Sequence, residues 1–336
     1  MSEPIRSAED GGREEARLLA AAQRGEEAAF VDLTSPHRQA LHLHCYRLLG
    51  SLHDADDALQ ETLLNAWRAI SGFEPRAPLR AWLYRIATNV ALRMIERRRE
   101  PAAPVDAHLQ PYPDTMFNDV PAAQGGPEEE AIVSEGVGLA VVAAMQLLPP
   151  KQRAVLVLRD ALGWRATEVA DLLEESVPAV NSALQRARAT IAREHEAGTL
   201  ARVNAPASRG EEALVVRRFQ EAWTRVDIDG IVALLTDDAL LTMPPVEMRF
   251  EGAESIGRFF ATEPVGGRLD RIELVEVRAN GQPALASYAD EDGDGVHSAY
   301  GMMVLALRDD RISGITGFPR DPALFGRFGL PTELGS

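Results

Sequence analysis

Apolar residues recur at helical spacing through most of the first 200 positions. From residue 14 to residue 99 this spacing predicts helices almost throughout, with glycine and proline confined to the junctions. The pattern returns at residue 131, after a segment at 101–130 that is rich in proline, alanine and acidic residues. This segment lacks periodicity, and we predict an extended linker. Residues 1–12 are polar and acidic, and we expect them to be disordered.

The segment 149–193 has the pattern of a helix, a short turn and a helix. A first amphipathic helix is predicted to end at Gly163, and Thr167 and Ser176 are predicted N-caps of the next two helices. The outward face of the last helix is polar and basic, as in the recognition helix that a helix-turn-helix places in the major groove. An ordinary helical hairpin with a solvated arginine face is the alternative that this segment alone leaves open.

A different pattern follows residue 208. Two amphipathic helices, a strand and a further helix at 253–261 precede alternating segments that predict strands. Turn signals separate these segments at Asn280-Gly281, 292–295 and Asp309-Asp310. Helices followed by an antiparallel meander predict an α+β domain with a curved sheet wrapped on its helices.

The predicted fold is therefore multidomain, with two all-α helical domains followed by an α+β domain. We place the first helical domain at 13–100, the linker at 101–130, the second helical domain at 131–198 and the α+β domain at 208–330.

Two neighbouring helices in the first domain differ in charge. The helix at 54–70 has an acidic open face, with Asp54 as its predicted N-cap, and the helix at 80–99 is basic and carries aromatic residues. Such helices could form a salt-bridged pair. They also have the form of a protein-binding face beside a DNA-binding face.

Three segments resemble sigma-70-class RNA polymerase sigma factors. DADDALQETLLNAWRAI resembles the D-A-E-D-x-x-Q-E-x-F-x-x-A-W motif, and LRAWLYRIATN contains the L-x-x-W-L-x-x-I-A-x-N pattern in full. LPPKQRAVLVLRDALGWRATEVADLL is similar to the family's helix-turn-helix. With two sigma regions and a short linker, the arrangement resembles the extracytoplasmic-function (ECF) subgroup.

The resemblance implies core RNA polymerase and promoter DNA as partners. It implies polymerase-binding residues at Asp54, Asp57, Gln60, Glu61 and Asn65. It implies contacts to the −10 element from Arg76, Trp82, Arg85, Asn89, Arg93 and Arg97. It implies contacts to the −35 element from Thr167, Ser176, Ala179, Asn181, Ser182, Gln185, Arg186 and Arg188. Two positions depart from the family: Asn181 replaces a basic residue, and Arg93 replaces an acidic one.

The α+β domain resembles SnoaL-like domains of the NTF2-like cone fold, through W-x-x-x-D-x-D-x-I-x-x-L-L-x-D-D-A and the helix that follows the M-P-P segment. That fold usually encloses a pocket, and an unidentified small ligand is a candidate partner. Residues that could line the pocket are Trp223, Met243, Phe259, Tyr288 and Tyr300. Some relatives are isomerases or cyclases, for which His297, Tyr288 and Asp290 are the acid–base candidates.

Composition narrows the possible classes of function further. The net charge of −16 argues against a protein that simply coats nucleic acid, although a local basic face is enough to contact DNA. Cys45 is the single cysteine, which excludes an internal disulfide and fits the cytoplasm. We expect no secretory signal, no membrane span, no metal at His37, His42 and His44, and no cofactor.

The leading hypothesis is a non-enzymatic sigma factor whose C-terminal domain regulates it by packing on the sigma halves or their linker. One alternative is a SnoaL-type cyclase or isomerase fused to a DNA-binding region, with no catalytic residues assigned. Another is a ligand-sensing repressor, although a repressor would not need a polymerase-docking helix at 54–70.

Overall fold

The first helical domain comprises an antiparallel group of helices around one core. In the computed structural model, which describes residues 3–75, 77–97, 109–116, 138–196 and 209–335, its helices are α1 (Glu3–Gln23), α2 (Glu27–Thr34), α3 (Arg38–Leu49), α4 (Leu52–Ala69) and α5 (Leu79–Arg97). Short 3₁₀ turns at Ser35–His37 and Ile70–Gly72 follow α2 and α4.

Both N-terminal boundaries that we predicted here are wrong. Helix α1 begins at Glu3, so residues 3–12 are helical where we expected disorder, and Pro4 lies in the first turn, where a helix tolerates proline. Helix α4 is capped by Ser51, whose hydroxyl accepts the Asp54 N–H at 3.2 Å. Asp54 therefore lies in the first turn, where its charge suits the helix dipole.

The second helical domain contains α6 (Leu139–Gln146), α7 (Pro150–Leu156), α8 (Ala166–Leu173) and α9 (Val177–Glu196). A π-helical turn at Val157–Ala161 extends α7 to the left-handed Gly163. Thr167 is not the N-cap of α8, because the Glu168 carboxylate accepts the Arg165 N–H at 2.7 Å and starts the helix earlier. Ser176 caps α9 as predicted.

The C-terminal domain is the predicted α+β unit. Its helices are α10 (Arg209–Thr224), α11 (Ile228–Leu234), α12 (Ala253–Thr262) and α13 (Pro322–Arg327). Its strands are β1 (Leu235–Met243), β2 (Val246–Glu251), β3 (Ile272–Ala279), β4 (Gln282–Ala289), β5 (His297–Arg308), β6 (Arg311–Pro319) and β7 (Glu333–Leu334). The sheet order is β2-β1-β6-β5-β4-β3, with β7 beside β5, and the β1–β6 pair is parallel.

The two faces of this sheet belong to different cores. One face packs with α10, α11 and α12 around Phe219, Trp223 and Phe260. The other face, which includes Tyr288 and Met302, is continuous with the core of both helical domains. Because apolar burial joins the three domains, the C-terminal domain is packed on the helical half and not merely tethered to it.

The described part of the predicted linker, 109–116, is folded, which corrects the prediction of an extended segment. Pro113 pairs with Ala279 in an antiparallel bridge, and Asp114–Met116 forms a 3₁₀ turn. Leu109 and Tyr112 are buried, so apolar side chains fix this part of the linker where composition suggested solvation. The remaining linker positions, 101–108 and 117–130, lie outside the described residues.

Helix α3 is buried along most of its length and contains groups that titrate. Cys45 is buried, and burial raises the pKa of its thiol to about 12. The Nε2 of His44 lies 2.9 Å from the Thr88 hydroxyl, which itself donates to the Tyr84 carbonyl. Thr88 can therefore only accept from His44, which assigns the proton of the neutral ring to Nε2. Burial, and secondarily Arg47, lowers the pKa of His44 to about 3.

This buried histidine predicts acid lability. In the unfolded chain His44 binds a proton near pH 6.5, whereas in the folded chain it does so only near pH 3. The contribution of neutral His44 to the free energy of unfolding is therefore complete above pH 6.5 and is lost as the pH falls below that value. When the pH falls from 7.5 to 5.5, protonation of this histidine in the unfolded chain lowers the free energy of unfolding of the wild type. We expect the decrease to be about 1.4 kcal/mol smaller in His44→Gln, as measured by urea denaturation. The control is the exposed His53→Gln. Parallel pH profiles for wild type and His44→Gln would contradict this assignment.

Candidate nucleic-acid and protein interfaces

Helices α8 and α9 form a helix-turn-helix. Glu174 has a left-handed backbone (φ +56°) that turns the chain from α8 towards Ser176, whose hydroxyl accepts the Ala179 N–H at 3.3 Å. The inward side of α9 is buried. Four residues predicted to contact the −35 element are exposed together on its other side: Asn181, Ser182, Gln185 and Arg186. This surface carries amide, hydroxyl and guanidinium groups suited to base edges and phosphates.

The remaining −35 candidates differ in their surroundings. Thr167 is exposed in the first turn of α8, Ser176 is exposed, and Ala179 is half-buried. Arg188 donates to both carboxylate oxygens of Asp160, at 2.7 and 2.9 Å. Arg188 is thus oriented by a bidentate pair in the free chain.

The residues predicted to contact the −10 element lie along α5. Trp82 is half-buried against Phe73, with ring centroids 4.8 Å apart. Asn89 and Arg97 are exposed, and Arg93 donates to Glu61 on α4 at 3.2 Å. Arg76 lies outside the described residues. The predicted acidic helix and basic helix are therefore neighbours joined by an ion pair, and both retain exposed polar groups.

Arg85, another −10 candidate, is bound to the helix-turn-helix. Its Nε donates to the Leu172 carbonyl at 3.2 Å, and its Nη2 donates to the Asp171 carbonyl. Glu174 lies 3.6 Å from the same guanidinium. These carbonyls end α8, where unpaired acceptors and the helix dipole favour a cation. The face of α5 that we predicted to contact the −10 element is consequently engaged at Arg85 by the second domain.

A second arginine joins the two helical domains from the other side. Arg153 of α7 is 5% exposed, and its Nη1 donates to the Leu48 carbonyl near the end of α3 at 2.6 Å. In its own domain, Nη1 also donates to the Gln146 Oε1, and Nη2 donates to the Gln146 and Leu148 carbonyls. A buried guanidinium needs several acceptors, and here they come from both domains.

The predicted polymerase-binding residues lie on α4. Asp57 and Gln60 are exposed, whereas Asp54, Glu61 and Asn65 are half-buried. We define the α4 stripe as the exposed residues that recur along this helix at intervals of three and four positions: His53, Asp57, Gln60, Leu64 and Arg68. The Leu64 side chain is 47% exposed, so this stripe combines polar groups with one accessible apolar side chain. No described residue of the other domains buries this stripe.

The tip of the β3–β4 hairpin is inserted between the domains. Asn280 is 1% exposed and has a left-handed backbone (φ +58°). Its N–H donates to the Tyr112 carbonyl, and its Oδ1 accepts the Tyr112 N–H, both at 2.8 Å. Its Nδ2 donates to the Tyr46 hydroxyl at 2.9 Å. One side chain thus connects the C-terminal domain to the linker and to α3.

The neighbouring residues extend these contacts. Gln282 accepts the N–H of Leu139, the first residue of α6, at 2.8 Å, so it satisfies an otherwise unpaired donor at a helix start. Asp114 of the linker accepts the Gly281 N–H at 2.8 Å and the Arg278 Nε at 3.2 Å. Burial raises the pKa of Asp114, and these two donors offset part of that effect. We call residues 280–282 the hairpin latch, because they contact α3, the linker and α6 at once.

The linker in turn is fixed to the start of α4. Gln110 accepts the Leu52 N–H at 2.8 Å and the Ser51 hydroxyl at 3.1 Å. The Gln110 carbonyl accepts the Tyr46 hydroxyl at 2.7 Å. A continuous hydrogen-bonded chain therefore runs from Asn280 through Tyr46 to the N-terminus of α4.

The C-terminal tail makes a further contact with α4. Arg327 of α13 donates to Asp56, which also lies 3.2 Å from the Nε2 of His42. The Nδ1 of His42 lies 2.9 Å from the Tyr112 hydroxyl. Burial lowers the pKa of His42, and the Asp56 carboxylate opposes this shift. Asp56 is on the flank of α4, so the tail leaves the α4 stripe uncovered.

The candidate pocket residues do not all come together. Trp223 and Phe259 are buried in the cone, and Met243 and Tyr300 pack at the same core. Tyr288 faces the opposite side of the sheet, where its ring meets Phe325 at 5.2 Å and its hydroxyl donates to the Pro331 carbonyl. The cone aromatics contact one another, with the Trp223 and Phe260 centroids 5.3 Å apart.

The acid–base candidates are likewise separate. Asp290 accepts N–H groups from Gly293 and Gly295, which makes it the organiser of its own turn. His297 begins β5 and pairs with Leu334 of β7. The described residues contain no group of three or more His, Cys, Asp or Glu side chains able to hold a metal ion. Among the same residues, no helix has the length and apolar character to cross a membrane.

Sequence reasoning did not anticipate the residues that join the domains. Asn280 was recognised as a turn residue only, because asparagine before glycine is fully explained by a tight hairpin. Gln110 and Arg327 lie in unremarkable sequence contexts, and Arg153 lies in the segment that resembles the helix-turn-helix, where no interdomain role was expected. The one available signal was Tyr112, a large aromatic residue in a segment otherwise typical of solvated linkers.

Comparison with known families matches three parts of the chain. The model for sigma-70 region 2 matches residues 33–100, that for sigma-70 region 4 matches 138–191, and that for a SnoaL-like domain matches 216–315. The crystal structure of the Mycobacterium tuberculosis extracytoplasmic function sigma factor SigJ has the same fold. The structural match covers 86% of this chain and 96% of SigJ, with a TM-score of 0.61 and 22% sequence identity.

Curated relatives extend the match to nearly the full length. The ECF RNA polymerase sigma factor SigG of Mycobacterium tuberculosis is 40% identical over 347 aligned positions, which cover 97% of this chain and 89% of the relative. SigW of Bacillus subtilis, also an ECF RNA polymerase sigma factor, is 30% identical over 49% of this chain and 88% of its own length. The chain therefore belongs to the ECF family of RNA polymerase sigma factors.

Proposed function

We propose that this protein binds core RNA polymerase through α4 and directs it to promoters by contacts from α5 to the −10 element and from α9 to the −35 element. The observation that supports it most is the full-length similarity to SigG, together with the exposed polar face of α9 and the exposed α4 stripe. The proposed −35 contacts are those of Asn181, Gln185 and Arg186. No catalytic role for the C-terminal domain is part of the proposal.

The proposal includes regulation by the C-terminal domain. We call the domain arrangement of this structure closed; in it, Nε and Nη2 of Arg85 donate to carbonyls at the end of α8, so these two donors are not available to DNA. The hairpin latch holds the linker, α3 and α6 together through buried hydrogen bonds. We propose that the latch stabilises the closed arrangement, and that promoter binding requires its release. The C-terminal domain then acts by shifting the equilibrium between closed and open forms.

Run-off transcription tests the activity. With core polymerase and a promoter selected by the holoenzyme from a random library, the full chain should direct initiation at one start site. Arg186→Ala should weaken promoter binding by about 5- to 150-fold, since a base or phosphate contact of this kind is worth about 1–3 kcal/mol. The control is Arg193→Ala, which removes another exposed arginine of α9. The proposal fails if the wild-type chain initiates on no template.

Loosening the latch tests the regulation. Asn280→Gly keeps the left-handed turn and removes the buried amide, which should destabilise the closed form by about 1–3 kcal/mol and shift the equilibrium by about 5- to 150-fold. We expect run-off transcription at limiting sigma factor to increase severalfold.

The matched control for the latch is Asp309→Gly. Asp309 has the same left-handed conformation (φ +57°) in the exposed β5–β6 turn. Unchanged or lower output from Asn280→Gly, with a native circular dichroism spectrum, would contradict a restraining role for the latch.

A further inference from the structure

The closed chain does not restrict its two proposed binding faces equally. Arg85 of the −10 face is engaged by carbonyls of α8 and lies near Glu174. On α4, by contrast, Asp57 and Gln60 are exposed, and 47% of the Leu64 side chain is accessible. The α4 stripe extends from His53 to Arg68, so it is open along nearly the whole helix.

The contacts that close the chain bypass the α4 stripe. The linker reaches α4 at its first turn, where Gln110 accepts the Leu52 N–H. The C-terminal tail reaches it on the flank, where Arg327 pairs with Asp56. The ion pair between Glu61 and Arg93 stays within the first helical domain. A partner approaching the stripe therefore meets exposed side chains before it meets any interdomain contact among the described residues.

We infer that core polymerase first captures the closed chain through the α4 stripe, and that the hairpin latch opens only after this contact. The inference rests on the proposed function and adds the order of events. If opening had to come first, the apparent association would be reduced by the small fraction of open chains. With an accessible stripe, the association rate constant is independent of the latch, and the latch acts on the later steps.

A reversible cross-link provides the test. Pro113 and Ala279 face each other in an antiparallel bridge whose flanking hydrogen bond runs from Asn280 N–H to the Tyr112 carbonyl. Such non-hydrogen-bonded pairs have Cα atoms about 4.5 Å apart, which suits a disulfide. The native Cys45 is buried, and its raised pKa makes it a poor competitor for the introduced thiols. The double variant Pro113→Cys/Ala279→Cys can therefore keep the hairpin latch attached to the linker under oxidising conditions.

Association of this double variant with core polymerase is measured by stopped-flow fluorescence in its oxidised and reduced states. We expect the two association rate constants to agree within about twofold. The oxidised form should dissociate faster and should give at least tenfold less run-off transcript than the reduced form. The latch variant Asn280→Gly, which needs no cross-link, should also associate within about twofold of the wild-type rate.

Three other results would overturn either this inference or the proposed function. A tenfold or larger fall in the association rate on oxidation, or a comparable rise in Asn280→Gly, would show that opening precedes polymerase binding and would overturn the inference. Equal transcription from the oxidised and reduced forms would overturn the claim that the latch must open after capture. Failure of the wild-type chain to bind polymerase at all would instead refute the proposed function.

Discussion

A buried asparagine amide at the tip of one hairpin holds the three domains in register. Asn280 is 1% exposed, and its backbone and side chain exchange hydrogen bonds with Tyr112 and Tyr46. A buried polar group left without partners is costly. Separating the C-terminal domain from either the linker or α3 would therefore leave such groups unpaired, which couples these contacts to one another. The same hairpin satisfies the start of α6 through Gln282, which brings the second helical domain into the arrangement. Apolar burial supplies the adhesion between the domains, and these directional contacts specify the geometry.

This constraint determines which surfaces are free. Two arginines, Arg85 and Arg153, link the helical domains by donating to backbone carbonyls. Arg153 is buried and serves structure alone, whereas Arg85 is half-buried and is also a candidate for DNA contact. Because Nε and Nη2 of Arg85 are engaged by α8, the closed arrangement competes with any DNA contact made through these two donors. The exposed candidates Asp57 and Gln60 on α4 lie away from these contacts, because the interdomain contacts reach that helix at its first turn and its flank.

The domain order, the helix-turn-helix and the α+β domain could be predicted because apolar periodicity and turn residues are local properties of the chain. Helix starts were less predictable. Ser51 and Asp54 are both favoured N-cap residues, so residue type does not decide between them, whereas the start of α8 is set by the Glu168 carboxylate and not by a favoured N-cap residue. The linker and the latch could not be predicted because they depend on contacts between distant parts of the chain. Tyr112 and Asn280 are separated by 168 positions, and no local pattern reports a hydrogen bond between them. The prediction that Tyr288 lines the pocket is wrong, because the face of the sheet on which a strand residue lies depends on the register of that strand.

The central claim, that the hairpin latch keeps the two helical domains together until polymerase is bound, is tested most directly by an interdomain distance. Fluorophores at Asp32→Cys and Ala192→Cys occupy exposed positions in the first and second helical domains, and the buried native Cys45 remains unlabelled. Single-molecule energy transfer should show one compact population in the free chain, a larger separation in the promoter complex, and a partial shift to that separation in free Asn280→Gly. A free wild-type chain that already shows the separation of the promoter complex would contradict the account.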